Sequence, residues 1–490
     1  MRSSSQSEDQ QAQRDTRELE RFGYTQELLR TMGGLSTFAI AFTIISIIGG
    51  IITLYDYGLQ MGGPLEMTLG WPLVSVGTLF VALSMAELCS ALPTSGGTYH
   101  WSAELGGPTW AWFTAWFNIV GLVTEVAGAD YGCAKFLLPI LGWGSTYWAL
   151  LITYGLILVS HALINHYGIR WVARLNDLSV TVHILGVVVL VGALLIFAPK
   201  QPLGFLVSRA TSAPFHAPYF WLFLLGMLQA QWTYTGYDAP AQVSEETVDP
   251  RHRAPWAIVM GVVISAIFGY ILVLGLTWAI PSISGVLTAK DAAGNSVPAV
   301  LVIVIGALGA RAGGAVLLLA VAALWFCGLS TLTSSSRVVY ALARDNGMPM
   351  AALWSKTNSR HRTPGPAIWL AAGLAFAALI YSGSLVMVTS LSVVGCYLAY
   401  ATPIYLGWRS KPRWVDKRGP WHLGRRSNLI NKLALGWTAF ICILMIMPPN
   451  VLTGISMGAF LVALFLLHFF TGPHQMRKPV WNVTENSTTN

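Results

Sequence analysis

From residue 36 onward, apolar stretches alternate with short polar or basic segments along nearly the whole chain. A helix that crosses a bilayer needs about 20 mainly apolar residues, and the pattern predicts twelve such spans. Six lie near Ser36–Leu59, Leu69–Leu92, Thr109–Leu138, Thr146–Asn165, Val172–Phe197 and Tyr219–Val243. The other six lie near Ala254–Ile280, Gly313–Ala343, Ala367–Tyr381, Leu385–Trp408, Leu429–Met447 and Val451–Phe470. Residues 1–30 are polar, without an apolar core or a small-residue cleavage site, so they read as a tail and not as a secretory signal peptide. Within that tail the pattern predicts an irregular Met1–Arg17 and a short amphipathic helix over Glu18–Arg30. The expected organisation is a tail (1–30), a membrane domain (31–470) and a second tail (471–490).

An even number of spans puts both ends on one side, and the placement of Lys and Arg says which. With both ends cytoplasmic, 24 of the 29 basic residues fall on inner segments, and only Lys135, Lys200, Arg209, Lys290 and Arg311 fall outside. That asymmetry accounts for the net charge of +8 without a nucleic-acid partner. The basic loop Arg409–Lys432 follows the same bias, or lies against anionic lipid. The sequons at Asn482 and Asn486 fall on the inner side and are expected to be unused.

Composition agrees: 54% of residues are apolar and 10% are charged, far below the roughly 25% charged usage of soluble domains. The chain is therefore expected to be an all-α, multi-pass protein of the cell (plasma) membrane. The cysteines Cys89, Cys133, Cys327, Cys396 and Cys442 sit in apolar stretches without metal-ligand spacing and read as core residues. No nucleotide-binding loop, metal cluster or long soluble segment points to an enzyme, a metal or a cofactor.

Transporters often form their site from helices broken at corresponding places in two halves. The first span carries Ile47-Ile48-Gly49-Gly50-Ile51 near its middle, and the sixth carries Thr233-Tyr234-Thr235-Gly236-Tyr237-Asp238 at a similar depth. Paired glycines weaken a helix by about 1 kcal/mol each relative to alanine, and a helix restarting there offers N–H groups to an anion.

Three motifs carry a family resemblance. Ala86-Glu87-Leu88 followed by Pro93-Thr94-Ser95-Gly96-Gly97-Thr98-Tyr99 comes after span two; Gly236-Tyr237-Asp238-Ala239 followed by Glu245-Glu246 lies in span six; Ser336-Arg337 followed by Ala343-Arg344-Asp345-Asn346-Gly347 ends span eight. Over about Leu35–Phe470 the chain resembles the amino acid–polyamine–organocation transporter superfamily, and Gly50–Leu59 looks like its amino acid/choline branch, which includes γ-aminobutyrate permeases. The resemblance implies a five-plus-five inverted-repeat fold of the leucine-transporter type, repeat one about 36–197 and repeat two about 219–408, with two extra helices over 429–470. It implies a substrate carboxylate held near Ile48 by N–H groups of Gly49, Gly50 and Ile51, and an amino group held by carbonyls near Ser46, Ile47 and Tyr234. Tyr234 and Tyr237 would then form aromatic walls beside Gly236, with Thr233 or Thr235 donating a side-chain hydrogen bond.

Ionisable residues inside a membrane are costly and are functional candidates by default. Glu125, mid-depth in span three, either attracts a substrate ammonium or proton or bonds between helices; Asp130 lies on a different face, about 140° around the helix. His183 in span five aligns with a lysine of proton-dependent members of the superfamily and titrates in the physiological range; it reads as a proton-coupling group or an interhelical hydrogen bonder. His161 and His166 are weaker candidates. Glu87, Glu245, Glu246, Arg337 and Arg344 read as a cytoplasmic gate network or as plain interfacial ion pairs. The expected function is uptake of a small amino acid or γ-aminobutyrate-like zwitterion by alternating access with a proton as partner. The competing readings are an exchanger, a choline or polyamine permease, and a non-transporting nutrient sensor.

Overall fold

The computed structural model describes residues 2–22, 25–291, 294–410, 418–471 and 476. The helices run α1 (Arg2–Arg21), α2 (Gly34–Ile45), α3 (Ile47–Ala91), α4 (Thr98–Gly106), α5 (Pro108–Ile140), α6 (Tyr147–Tyr167) and α7 (Ile169–Phe197). They continue with α8 (Tyr219–Gly226), α9 (Leu228–Thr233), α10 (Ala239–Gln242), α11 (Pro250–Trp278), α12 (Ile283–Leu287) and α13 (Ala299–Arg344). The last are α14 (Ala351–Trp354), α15 (Gly365–Ser382), α16 (Leu385–Arg409), α17 (Ser427–Ile446) and α18 (Val451–Thr471). Among the described residues there are no strands, only isolated bridges such as Met32 with Thr247.

Nine helical stretches among the described residues are long and apolar enough to cross a membrane, one of them running from Gly34 to Ala91. That stretch turns at Gly63 (φ 65°, ψ −168°), which divides α3 into 47–62 and 64–91. Only glycine fits there, since a Cβ would lie 2.1 Å from the Ala210 carbonyl oxygen. Gly309 similarly divides α13 into 299–308 and 310–344. Span two therefore begins several residues before Leu69, directly after the corner. Span six is not one helix but three short ones, α8 to α10.

Two other expectations shift. The tail is helical over Arg2–Arg21, and Gln26–Arg30, expected to be helical, is not. The chain must extend there because Thr31 and Met32 donate their N–H groups to the Glu246 carbonyl, and Val248 donates to that of Met32. The loop expected over Arg409–Lys432 is shorter, because α17 begins at Ser427, whose hydroxyl donates to Glu87 at 2.6 Å. The sequons at Asn482 and Asn486 lie outside the described residues.

Polarity is inverted relative to a soluble protein. Leu156, Ile196, Phe220 and Phe469 face outward, whereas Glu125, Asp130, His161, His183 and Asp238 are buried. Apolar side chains gain nothing by leaving lipid tails, so close packing rather than the hydrophobic effect must hold such helices together. The contact of α5 with α16 shows it. A Cβ on Gly121 would lie 2.5 Å from the Cys396 nitrogen, and one on Gly395 would lie 2.7 Å from the Gly121 nitrogen. The two backbones touch, which fixes where α5 stands. Gly121→Leu should force them apart and cost about 1–3 kcal/mol. A thermal unfolding midpoint in detergent equal to that of the unsubstituted protein would contradict this packing.

Candidate functional site

The first helix break lies at Ser46, three residues before the glycine pair. Ser46 takes a left-handed conformation (φ 43°, ψ 66°) between the end of α2 and the start of α3. For a residue with a side chain this costs about 1–2 kcal/mol, and local bonds offset it. Ser46 Oγ lies 3.0 Å from His183 Nε2 and 3.3 Å from the Ala323 carbonyl oxygen, either of which can accept its one hydrogen, while Cys327 Sγ lies 3.1 Å from the Ile44 carbonyl oxygen, which accepts from it.

The restart of the helix changes which donors are free. Gly50 N–H donates to the Ser46 carbonyl at 2.7 Å, so it is already used, and Ile51 lies a full turn into the helix, where the ladder takes its N–H. The open donors are those of Ile47, Ile48 and Gly49. The anion cradle expected on Gly49, Gly50 and Ile51 is thus displaced by two residues, because the break precedes the glycines. Those glycines serve close approach instead. A Cβ on Gly50 would meet Thr233 Cγ2 and Oγ1 at 2.7 Å, and one on Gly49 would meet Ser46 Oγ at 2.6 Å.

The second break covers Tyr234–Asp238, between α9 and α10. Gly236 has φ 76°, and a Cβ there would lie 2.1 Å from Ile44 Cγ2. Gly50 against Thr233 and Gly236 against Ile44 bring the two breaks into direct contact. Tyr400 Oη accepts from the Gly236 N–H at 3.1 Å and donates to Asp238 at 2.7 Å, fixing the loop to α16.

Several side chains expected at the substrate are engaged elsewhere. The Thr233 hydroxyl donates to the Gln229 carbonyl, and that of Thr235 to the Trp232 carbonyl. Tyr234 bonds Ser75 at 2.7 Å and stacks on Trp71, so it packs against span two rather than over the gap. Tyr237 joins Tyr400 and Tyr397 in an aromatic group. Tyr397 and Tyr400 were missed by the sequence reading, although their spacing of three places them on one face of a helix.

Glu125 meets the second break. It accepts a hydrogen bond from Ser392 at 3.2 Å, and a Cβ on Gly236 would lie 3.6 Å from its other oxygen. His183, on α7, meets the first. Its Nδ1 lies 2.8 Å from the Ser179 carbonyl, which only accepts, so Nδ1 carries a proton. In the neutral ring Nε2 then accepts from Ser46. Asp130 turns away from Glu125 and lies 3.1 Å from His161.

The gate residues separate into two groups. Arg337 pairs with Glu246 at 3.0 Å and Arg344 with Glu245 at 3.2 Å, all largely buried. Glu245 also accepts from Ser95 N–H, within the Pro93–Tyr99 turn. The segment before α2 closes over this cluster: Gln26 donates to the Glu245 carbonyl, Arg30 to that of Thr247, and Tyr340 Oη to Glu27. Burial pulls the Arg30 guanidinium below its ordinary value, against the opposing pull of Asp15, Glu245 and Glu18. Glu87 does not belong to this cluster. It accepts from Leu423 N–H and Ser427 Oγ and faces Arg418 at 3.8 Å, because the start of α17 comes between.

Long apolar helices with lipid-type side chains facing outward define the class: a multi-pass membrane protein. The family model for amino acid permeases matches residues 32–481. The chain is 35% identical to the amino-acid permease BAT1 homolog of Oryza sativa subsp. japonica, over 95% of each chain. It is 36% identical to amino-acid permease BAT1 of Arabidopsis thaliana, over 93% of this chain and 95% of the other. A relative from Macrophomina phaseolina named for amino acid/polyamine transport is 31% identical over 82% of this chain and 92% of its own. The chain belongs to the amino acid permease family, within the amino acid–polyamine–organocation superfamily. It is accordingly an amino acid transporter of the membrane.

Two outcomes test this geometry. Gly50→Ala should lower amino acid uptake by pressing on Thr233, and Gly50→Ala with Thr233→Ala should recover part of it; uptake unchanged in the single variant would sink the contact. Arg337→Ala leaves Glu246 buried and unpaired, a loss of about 3–5 kcal/mol. Glu246→Gln in the same chain should restore most of the lost thermal stability.

Proposed function

We propose that this permease imports a small zwitterion, a neutral amino acid or γ-aminobutyrate, by alternating access, with a proton as the coupling ion. Twelve spans would form two inverted repeats, about 36–197 and 219–408, followed by two further helices over 429–470. The tails 1–30 and 471–490 would lie in the cytoplasm and the domain 31–470 in the plasma membrane. The orientation draws support from one end of the bundle, where Arg30, Arg251, Arg337, Arg344 and Arg362 gather as positive-inside bias requires.

The observation that carries the reading is the meeting of the two breaks beside His183. The free N–H groups of Ile47, Ile48 and Gly49 suit a carboxylate. Carbonyls at the two breaks would hold the ammonium. His183 supplies the coupling step. When its Nε2 gains a proton it must donate to Ser46 Oγ instead of accepting, and the Ser46 hydroxyl then turns to its second partner, the Ala323 carbonyl 3.3 Å away. One proton thereby changes how the first break is tied to α13.

A second reading, carriage of a cationic solute such as choline or a polyamine, rests on Glu125 beside Gly236 and on the amino acid/polyamine name of the Macrophomina phaseolina relative. Competition of radiolabelled γ-aminobutyrate uptake by neutral amino acids, choline and polyamines separates the two. In proteoliposomes, an inward proton gradient should raise accumulation, and His183→Asn should remove that rise. Transport that ignores the gradient and requires internal substrate would instead mean exchange.

A further inference from the structure

We infer that Asp130 and His161 form a second proton-holding site, separate from the helix breaks and linked to the Glu245–Glu246 end of the bundle by a polar seam along α13. The inference builds on the proton coupling proposed above, but it stands on a different cluster of side chains. Asp130 on α5 and His161 on α6 are both fully buried, with Oδ2 3.1 Å from Nδ1. Their other polar atoms, Asp130 Oδ1 and His161 Nε2, are buried without a partner.

The pair occupies a notch in α13. A Cβ on Gly328 would lie 1.7 Å from Asp130 Oδ1 and 2.9 Å from His161 Cε1, and the Trp325 ring stands edge-on to the imidazole. The titratable neighbours are Tyr154 from α6, Cys133 from α5 and Cys327 from α13, with Glu125 further along α5. Lys135, five residues on, interacts with Asp56 instead. Among the described residues, no cation other than the imidazole itself thus compensates the carboxylate.

Electrostatics then sets what the pair does. A carboxylate beside a neutral imidazole leaves one buried negative charge, which a low-dielectric interior opposes. Gain of one proton from water makes the pair neutral, as carboxylate with imidazolium or as carboxylic acid with imidazole. The site is therefore suited to a single proton.

The seam supplies a route. From Gly328 to Arg337, α13 advances about 13 Å and presents hydroxyls at Ser330, Thr333, Ser334, Ser335 and Ser336. Thr333 donates to Asn165 Oδ1 at 2.7 Å, and Asn165 donates to the His161 carbonyl at 3.1 Å. Arg337 donates to Ser336 and pairs with Glu246. The hydroxyls of Ser334 and Ser335 are buried without partners, as is Asn176 Nδ2, and such atoms receive water when the packing loosens. At its other end the seam touches the first break through Cys327, the residue before Gly328, which bonds the Ile44 carbonyl.

Asp130→Asn tests this, since the amide oxygen still accepts from imidazole Nδ1–H while the titration is gone. In proteoliposomes carrying the full chain and supplied with γ-aminobutyrate or alanine, whichever the unsubstituted protein exchanges, exchange at equal pH should persist. Substrate-evoked proton entry should be lost, and the substrate-induced infrared change in the protonated-carboxyl stretch should disappear. His161→Gln should shift that band and serves equally should the first variant fail to fold. Retained proton entry with an unchanged band in both variants would overturn the site. If the unsubstituted protein shows no response to a pH gradient, proton symport fails as a reading. The infrared signal then decides the pair alone: a substrate-dependent band removed by Asp130→Asn supports it, and no such band refutes it.

Discussion

Within the hydrocarbon layer of a membrane no water meets an unpaired peptide group, and each one left open costs several kcal/mol. A broken helix exposes such groups where they are hardest to satisfy. The chain answers by making the two breaks cover each other and by sending side chains to what remains. Cys327 caps the Ile44 carbonyl, Ser46 is tied to Ala323 and His183, and Tyr400 accepts from Gly236. Gly50 and Gly236 exist in that arrangement because any Cβ would hold the breaks apart. The donors still open are those of Ile47, Ile48 and Gly49, and the proposed solute carboxylate would satisfy them.

The same rule sorts the buried charges. Glu246 has Arg337, Glu245 has Arg344, and Asp238 has Tyr400 and Gln242. These carboxylates are held by partners of fixed charge or by several hydrogen bonds, and they serve to lock segments together. Glu125 and Asp130 differ, because their partners are Ser392 and His161. A hydroxyl or an imidazole stabilises a carboxylate without cancelling its charge permanently, unlike the guanidinium partners of Glu245 and Glu246, and that is why a proton or an ammonium is proposed at these two positions.

Much of this was legible in the chain, for identifiable reasons. Spans recur because length and apolarity are imposed by the bilayer, so the expected helices over 385–408 and 451–470 match the observed ones within a residue. The second break was visible because Gly236 marks it directly. The first was misplaced, because the glycines that signalled it serve the contact with Thr233, while the residue that bends, Ser46, has no conformational signature of its own. Side-chain direction was not legible either. Tyr234 and Thr233 sit at the break in sequence, yet their hydroxyls point to Ser75 and Gln229. Glu87 lies near the inner end of span two, as the expected gate residues do, and only the path of the chain into α17 separates it from them.

The second break and the Glu245–Glu246 ion pairs lie on one tied segment. From Gly236 to Glu246 the chain passes through α10 and a tight turn, all of it buried, with Asp238 fastened to α16 at one end and Glu245 and Glu246 fastened to Arg344 and Arg337 at the other. Eleven residues with that many ties cannot bend internally at low cost, so a shift at Gly236 would be carried to both ion pairs. Those pairs join this segment to α13, and α13 is also where Ala323 and Cys327 hold the first break. One helix thus contacts the first break and, through the ion pairs, the segment that carries the second. On the proposed alternating access, a solute that draws the breaks closer would alter the register of the 236–246 segment against α13, and the buried ion pairs would make that register a choice between discrete arrangements rather than a continuous slide.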